Sequence, residues 1–353
     1  MEMRNVATYP EPLLRRFTTD FLLRLDASSE EADIIADGLM TACLWWHPGQ
    51  GQGLEKLVRY HRRVRNGGIV PAATMEWVRE GTSTALLDAG KGFGYVAAHR
   101  AMARAIEKAS ETGLAMVGVR NSNHFGIAGY HALSAARKGL IGWAMTNAGA
   151  EMAPTGSAKA VLGTNPWGIA IPRQGHPPIV LDMALTMSGK GMMRWLDREG
   201  REMPETWALT PDGRRTTTPG EAMAGALLPI GEYKGYGLSL WTDVLAGVMT
   251  GALFGTDVFQ DDRHFDVGHQ LVAVAPEAFQ SREDFDRRLE ELVTQIKSAP
   301  PIDPDQPVML PGEREQHRRR ERLETGIPVD LTTVEKLRPL ASELGVDFFT
   351  NPP

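Results

Sequence analysis

One histidine, His124, lies in a stretch whose residue types suit proton chemistry. It stands between small polar residues and two glycines in the sequence NSNHFGIAG, which covers residues 121–129. Residues 114–119 read as an apolar strand and the alanine-rich residues 130–137 as a helix, so we expect His124 at a strand-to-helix turn. Free N–H groups at such a turn favour anionic groups, and an imidazole can exchange a proton near neutral pH. A histidine that only caps the helix is the alternative interpretation.

Three further segments place small or polar residues where a phosphate or a sugar could bind. Gly163-Thr164-Asn165-Pro166 offers backbone N–H donors and permits close approach, although Thr-Asn-Pro is also simply a turn. Asp182 ends an apolar run, so its carboxylate should accept hydrogen bonds from a ribose or from the backbone. Lys234 stands between glycines and tyrosines, where it either approaches a phosphate or is only solvated.

Helical patterns at both ends of the chain flank a middle that is rich in short strands. Apolar spacing predicts helices over residues 11–25, 29–44, 54–66, 95–112, 130–137, 188–197, 236–253 and 284–297. Strand-like runs cover residues 73–78, 84–88, 114–119, 142–147, 168–172, 179–183 and 270–274. We expect a loop from residue 198 to Lys234, a Pro-rich linker over residues 300–311, and two terminal helices after it.

The composition favours a soluble enzyme with a large core. Of the 353 residues, 42% are hydrophobic and 23% are charged, and the formal net charge is −6. An acidic balance without a basic stripe argues against a nucleic-acid partner, and no stretch approaches the roughly 20 apolar residues of a membrane helix. The single cysteine, Cys43, excludes an intrachain disulfide, and residues 1–12 lack the apolar core of a signal peptide. We therefore expect a cytoplasmic protein.

Five motifs, taken in their order and spacing, resemble those of one enzyme family. They are the stretch around His124 and residues 163–168, 180–184, 231–237 and 310–313. The chain resembles the type-2 malate/L-lactate dehydrogenases, also called sulfolactate dehydrogenase-like. This family includes ureidoglycolate dehydrogenases, 2,3-diketogulonate reductases and cyclic-imine carboxylate reductases. The likeness extends from about residue 13 to residue 346.

The resemblance implies a mixed α/β, or α+β, fold with a largely antiparallel nicotinamide-binding sheet instead of a Rossmann sheet. The glycine-rich residues 49–53 agree with this, because they have the wrong spacing for the Rossmann fingerprint and no strand precedes them. We interpret them as a flexible loop. We expect an N-terminal helical, substrate and dimerisation subdomain over residues 1–80, a cofactor domain over 81–300, and C-terminal helices over 301–353 that return to the first subdomain. The family also implies a homodimer whose active site borrows residues from both chains.

The cofactor implied by the resemblance is NADPH or NADH. NADPH is preferred because Lys190 and Arg194 could meet a 2′-phosphate. Lys234 could also approach the nicotinamide carboxamide, and Gly312-Glu313 is expected to close over the adenosine half. The expected cofactor-binding residues are His124, Gly126, Asn147, Gly163, Thr164, Asn165, Asp182, Met183, Ala184, Lys190, Lys234, Gly235, Gly312 and Glu313.

The chain departs from the family at the expected proton donor. Relatives carry Ser-His-Gly, an arginine three residues after that glycine, and then a tyrosine, whereas this chain has GQGLEKLVRY over residues 51–60. Counted back from Tyr60, Gln52 replaces the family histidine and Lys56 replaces the arginine that binds the substrate carboxylate. Glutamine cannot act as a general acid, although it can orient a carbonyl or imine. His47, beside two tryptophans, is either a replacement acid in an aromatic substrate site or merely packed.

The sequence therefore predicts an NAD(P)H-dependent dehydrogenase or reductase of a small 2-oxo acid, its 2-hydroxy counterpart or a cyclic imine carboxylate. His47 and His124 are the candidate acids, Gln52 orients the reacting group, and Lys56 and Tyr60 bind the substrate. No metal site is expected. The alternative is a homologue that has lost catalysis and serves as a cofactor-binding module, which the glutamine at position 52 favours.

Overall fold

A computed structural model describes residue 3 and residues 5–349. The α-helices are α1 (Glu11–Leu23), α2 (Ser29–Trp45), α3 (Glu55–Arg65), α4 (Gly94–Thr112), α5 (Ala128–Ala136), α6 (Lys190–Arg198), α7 (Pro219–Ala224), α8 (Tyr233–Asp243), α9 (Arg282–Lys297), α10 (Glu313–Thr325) and α11 (Leu331–Leu344). The strands are β1 (Val6–Tyr9), β2 (Glu76–Glu80), β3 (Thr84–Asp88), β4 (Leu114–Ser122), β5 (Ile141–Thr146), β6 (Trp167–Ile171), β7 (Ile179–Met183), β8 (Ala208–Leu209), β9 (Ala226–Leu227), β10 (Val267–Val274) and β11 (Ile327–Asp330). Among these helices, we find none with the length and apolar character of a membrane span.

A seven-stranded sheet forms the centre of the molecule. Its strand order is β2-β3-β4-β10-β5-β6-β7, and its neighbours are antiparallel except for the parallel pair β3 and β4. Helix α4 connects that parallel pair, as a crossover between parallel strands requires. Helices α4 and α5 pack on the sheet. The structure thus confirms the predicted mixed α/β, or α+β, fold with a largely antiparallel sheet.

The two ends of the chain meet beside this sheet. Strands β1 and β11 pair in antiparallel register, which joins the first described residues to the last helices. The Phe17 ring packs edge-on against Phe349 at 4.8 Å, and the Arg322 guanidinium donates hydrogen bonds to the carbonyls of Cys43 and Trp46. These contacts confirm a helical subdomain built from both ends. The domain boundaries at residues 80 and 300 stay predictions.

Two of the expected elements are wrong. The helix predicted over residues 236–253 ends as an α-helix at Asp243 and continues as a π-helical turn, Val244–Val248. Gly247 weakens the helix there, and a Cβ atom on it would lie 2.8 Å from the Asn147 amide nitrogen. The loop predicted up to Lys234 instead contains β8, α7 and β9. The strands β8 and β9 have two residues each, which is too short for an alternating pattern to show.

Candidate active site

His124 and Lys56 form the contact around which the candidate site is built. His124 lies in the turn between β4 and α5, and Lys56 lies in the first turn of α3. The Nε2 atom of His124 is 3.4 Å from the Nζ atom of Lys56, and its Nδ1 atom accepts a hydrogen bond from the Gly126 N–H at 3.0 Å. Helix α5 has Ile127 at its N-cap, without a side-chain cap. The interpretation of His124 as a helix cap is therefore wrong.

Lys56 is buried and His124 is half-buried, and positive charges surround both. Only 6% of Lys56 is exposed. Burial, followed by the charge of Arg59, lowers the pKa of the Lys56 amine well below its usual range, and Arg194 acts in the same direction. Burial, followed by the charge of Lys56, likewise lowers the pKa of the His124 imidazole well below its usual range. Two titratable groups in a cationic setting suit a site that binds an anion and exchanges a proton.

A third histidine, His269, supports this turn and is not singled out by sequence reasoning. Its Nε2 atom lies 2.9 Å from the Ser122 hydroxyl, and its Nδ1 atom lies 2.7 Å from the Thr146 hydroxyl. The imidazole also stacks on Phe125, the residue after His124, at 4.8 Å. A histidine within an apolar strand was the signal in the sequence that could have identified His269. Its partners Ser122 and Thr146 become evident only from the strand register. His269 therefore helps to fix the backbone that presents His124.

Tyr60 and Arg63, which follow Lys56 on α3, pack against aromatic rings of the protein. The Tyr60 ring packs edge-on against Phe93 at 5.5 Å, and burial raises the pKa of its hydroxyl. Arg63 stacks over the Phe265 ring at 4.0 Å. These contacts are with the protein core, so the role of Tyr60 in substrate binding stays a prediction.

His47 belongs to a packed turn of its own. Its Nδ1 atom accepts a hydrogen bond from the Gly49 N–H at 2.9 Å. The backbone N–H of His47 donates to the side-chain oxygen of Gln50 at 2.7 Å. The ring lies edge-on to Trp195 at 4.4 Å. Burial, followed by the charge of Arg322, lowers the pKa of His47 to about 4. Because this environment stabilises a neutral imidazole, it favours the packed interpretation, and the role of His47 as an acid stays a prediction.

The glycine-rich residues 49–53 are closely packed, so their interpretation as a flexible loop is wrong. A Cβ atom at Gly53 would overlap the Cys43 sulfur. Gln52 and His47 both line a cavity of about 30 Å³, and the described lining of this cavity includes neither member of the histidine–lysine pair. The buried Oε1 atom of Gln52 has no hydrogen-bond partner within the described chain. This acceptor can hold a polar group, and its role in orienting the substrate stays a prediction.

Three of the expected cofactor motifs lie side by side although they are distant in sequence. The backbone N–H of Leu185 donates to the Thr164 carbonyl at 2.8 Å, and the Ile230 N–H donates to the Leu185 carbonyl at 3.0 Å. The Gly235 N–H then donates to the Ile230 carbonyl at 2.8 Å. A Cβ atom at Gly235 would lie 2.6 Å from the Ile230 backbone, so only glycine permits this approach. The region of residues 163–166 thus adjoins the start of α8.

The two asparagines of the expected cofactor site have protein partners at both ends of their amides. Asn165, whose φ is +39°, accepts a hydrogen bond from the Ala148 N–H and donates to the Ser239 carbonyl, both at 3.0 Å. Asn147 accepts from the Gly268 N–H at 2.9 Å and donates to a carboxylate of α8 at 3.0 Å. Ser239 also donates to the Gly163 carbonyl at 3.2 Å. The observed role of both side chains is therefore to shape the loops around the motif.

Asp182 lies near the end of β7, followed by Met183 and Ala184, and faces the first turn of α5. Its Oδ2 atom accepts a hydrogen bond from the Gly129 N–H at 3.0 Å. Burial raises the pKa of this carboxyl to about 7, Gly129 opposes the shift, and Glu315 on α10 adds to it. One oxygen of the Asp182 carboxylate thus accepts a hydrogen bond from the backbone, which is one of the two partners that the sequence allows. A ribose hydroxyl as the partner of the other oxygen stays a prediction.

The two cations expected at a 2′-phosphate have different surroundings. Lys190 begins α6, and its Nζ atom donates hydrogen bonds to the carbonyls of Met223 at 3.1 Å and Gly225 at 3.4 Å. Arg194 lies one turn later on α6, is exposed, and is near enough for its charge to lower the pKa of Lys56. The charge of Arg194 therefore reaches Lys56, which sequence reasoning missed.

The remaining expected residues border β7 and α8. Lys234 is exposed in the first turn of α8. Gly312 has a φ of +86° and packs against β7, where a Cβ atom would lie 2.8 Å from the Val180 carbonyl oxygen. The carboxylate of Glu313 pairs with the Lys297 amine at 2.6 Å. Their proposed contacts with the nucleotide stay predictions.

These features fit a nicotinamide dinucleotide. The carboxylate of Asp182 can accept a hydrogen bond from a ribose hydroxyl, and Lys234 offers an exposed cation for a phosphate. The seven-stranded sheet is largely antiparallel, unlike the parallel sheet of a Rossmann domain. The chain belongs to the malate/L-lactate dehydrogenase family, because the model of that family matches residues 10–338.

Known proteins agree with this assignment. A malate dehydrogenase of Pyrococcus abyssi is 37% identical to this chain, and the match covers 97% of this chain and 96% of the Pyrococcus protein. A (2R)-3-sulfolactate dehydrogenase (NADP(+)) of Chromohalobacter salexigens is 35% identical over 82% of this chain and 85% of its own. The solved structure of Δ1-piperideine-2-carboxylate reductase from Pseudomonas syringae has a TM-score of 0.84 at 28% identity, covering 95% of this chain and 100% of that one. The chain is an oxidoreductase, as predicted.

Proposed function

We propose that this oxidoreductase transfers a hydride between a nicotinamide cofactor and the carbon next to the carboxylate of a small 2-oxo or 2-hydroxy acid. The contact between Lys56 and His124 carries the proposal, because a hydride transfer of this kind must be matched by a proton transfer. Arg59 and Arg194 supply positive charge close to the same contact, which suits the substrate carboxylate.

The chain's own residues divide the remaining tasks. When bound, the cofactor supplies or accepts the hydride. Backbone N–H groups of residues 163–165 hold the pyrophosphate, and Asp182 accepts a hydrogen bond from a ribose hydroxyl. The N–H of Gly235, expected to share this task, is instead bonded to the Ile230 carbonyl. Lys234 contacts a phosphate or the carboxamide, and Gly312-Glu313 borders the adenosine half. Burial of Lys56 limits the access of water to the reacting carbon.

We propose NADPH as the cofactor on two grounds. Lys190 uses its amine for two carbonyls, which leaves one of its three N–H donors for a 2′-phosphate. The relative from Chromohalobacter salexigens is named as an NADP(+) enzyme. Arg194 we assign to the substrate instead, because its charge acts on Lys56.

A cyclic imine carboxylate is the second candidate substrate. An imine can enter the site already protonated, which relaxes the need for the histidine that Gln52 replaces. A structural relative of this chain is named as a reductase of such a compound. The same cations would hold the same carboxylate, so the two substrate classes share one binding mode.

We further propose a homodimer in which a second copy of the chain covers α8 and the turn after it. Large apolar side chains are exposed along this face, namely Leu240, Trp241, Val244, Val248, Met249 and Phe254. Contiguous apolar patches of this kind mark interaction sites. The face continues directly from the Lys234 segment, so pairing here places each active site at the border between two chains, as the family implies.

A substrate screen tests the proposed function. Purified protein is mixed with NADPH or NADH and a panel of 2-oxo acids and cyclic imine carboxylates, and nicotinamide fluorescence is followed. We expect at least one compound to cause loss of the reduced cofactor. Cofactor binding without oxidation across the panel, and without reduction by 2-hydroxy acids, would instead support a catalytically impaired cofactor-binding module.

A further inference from the structure

The hydrogen bonds around His124 define which groups carry protons. Because Nδ1 accepts the Gly126 N–H at 3.0 Å, this nitrogen has no hydrogen of its own. The neutral ring must then carry its hydrogen on Nε2, which faces the Nζ atom of Lys56 at 3.4 Å. An ammonium group has no lone pair to accept that hydrogen. Both contacts of the imidazole are satisfied only when Lys56 is an uncharged amine.

Several charged groups near the Lys56 amine shift its pKa. Arg59 and Arg63 on α3, Arg194 on α6, and His124 in the turn after β4 contribute positive charge or a donor, while Glu55 on α3 opposes them. His269 on β10 also lowers the pKa of His124. The arginines on α3 and α6 and the donor of His124 therefore favour the uncharged form of Lys56, and Glu55 is the opposing charge among these groups.

Two departures from the family complement each other at this point. The position of the proton-donating histidine holds Gln52, which cannot titrate. The position of the arginine holds Lys56, and lysine can lose its proton whereas arginine cannot. The chain has thus lost a titratable group at one position and gained one four residues later.

We propose that Lys56 is the proton-exchanging residue of this enzyme and that His124 positions its amine. This rests on the proposed function. In oxidation of a 2-hydroxy acid, the C2–H bond breaks as hydride passes to the oxidised nicotinamide, and the C–O bond becomes a carbonyl. The hydroxyl proton moves to the Nζ lone pair of Lys56, which becomes an ammonium ion. In reduction, the ammonium ion returns that proton to the oxygen, and Arg59 and Arg194 hold the carboxylate in both directions.

The charge of Lys56 can be measured without cofactor or substrate. Protein labelled with ¹³C at the lysine Cε atoms is titrated by NMR, and the Lys56 signal is assigned by its absence in Lys56→Arg. We expect this signal at the amine position near neutral pH, while the other lysines titrate near their usual pKa of about 10.4. An ammonium signal for Lys56 up to about pH 10 would overturn the proposal.

Kinetics then separate proton exchange from carboxylate binding. Lys56→Arg restores the family residue and keeps a positive charge, so a carboxylate-binding role predicts near wild-type turnover. Proton exchange instead predicts a loss of about 10²–10⁴-fold in kcat with a KM close to that of wild type. Lys138→Arg, on the surface after α5, is the matched control.

A rescue variant completes the test. Gln52→His added to Lys56→Arg restores both family residues, so we expect it to recover at least tenfold of the lost kcat with a changed pH profile. Full activity of Lys56→Arg alone would overturn the proposal while leaving the proposed function intact. Absence of turnover by the wild-type enzyme would contradict the proposed function, and the NMR titration would still decide the charge of Lys56.

Discussion

The Oδ2 atom of Asp182 accepts a hydrogen bond from the backbone N–H of Gly129 at 3.0 Å, which joins the end of β7 to the first turn of α5. The adjacent segment, through Leu185, is bonded to Thr164. A carboxylate is therefore held where two of the cofactor motifs meet. Its pKa of about 7, raised by burial, shows that the charged form is disfavoured in the folded protein.

Asp182→Asn should stabilise the protein and weaken cofactor binding. A carboxyl whose pKa is raised on folding stabilises the fold below its unfolded pKa, and this contribution is lost as pH rises through about 7. Asparagine keeps the acceptor for Gly129 without the charge. At pH 8 we expect a gain on the order of 1–3 kcal/mol in the free energy of unfolding, shrinking to zero near pH 4.

Urea unfolding at the two pH values measures the stability, and fluorescence titration with NADPH measures the affinity. Asp33→Asn, on the exposed side of α2, is the control. A variant that is less stable than the wild type at pH 8 would show that the charged form is favoured. Unchanged NADPH affinity would remove Asp182 from the cofactor site.

Arg194→Gln should raise KM for the carboxylate substrate by about tenfold, because a charge-assisted contact contributes on the order of 1.5–3 kcal/mol. The ratio of NADPH to NADH affinity should stay constant, since the Arg194 charge acts on Lys56. Steady-state kinetics with both cofactors measure these effects, and Arg319→Gln on α10 is the control. A selective loss of NADPH affinity would return Arg194 to the 2′-phosphate.

His47→Ala should lower stability more than turnover. The variant loses the acceptor for the Gly49 N–H and the contact with Trp195, and loss of a capping acceptor typically costs about 0.5–2 kcal/mol. His47→Asn retains an acceptor and should recover part of this loss. Thermal unfolding and kcat are measured on both variants. A kcat lowered about 10²-fold or more at unchanged stability would establish His47 as the acid instead.

Trp241→Glu should convert a dimer to a monomer. Trp241 is 52% exposed in the centre of the apolar face on α8, so a carboxylate there would have to be desolvated on pairing. Sedimentation at micromolar concentration measures the mass. Phe279→Glu, at a side chain exposed elsewhere, should leave the dimer intact. A wild-type protein that sediments only at 38.7 kDa would contradict the dimer.

Local patterns were sufficient for most elements. The capping box of Ser28 and Glu31 begins α2, and β3 and β7 have the predicted bounds, because both signals lie within a few residues. Strands β1 and β11 were missed, since each is stabilised only by the other, more than three hundred residues away in the chain. Local propensity gives no account of such pairs.

The candidate site was predictable in its parts and not in its contacts. The motifs named His124, Lys56 and Asp182, but the distance from His124 to Lys56 depends on how α3 packs against the turn after β4. The same holds for Arg194, whose charge reaches Lys56 because α6 packs on the His47 turn. Charge and burial at these residues are therefore properties of the fold.

Isotope transfer tests the central claim most directly. A 2-hydroxy acid that is active in the screen is prepared with deuterium at C2 and incubated with the enzyme and oxidised cofactor, and the reduced cofactor is analysed by mass spectrometry. Direct hydride transfer predicts that the deuterium appears in the reduced cofactor, with no exchange with solvent. A reduced cofactor without deuterium would contradict the account, because the hydride would then not come from the carbon next to the carboxylate.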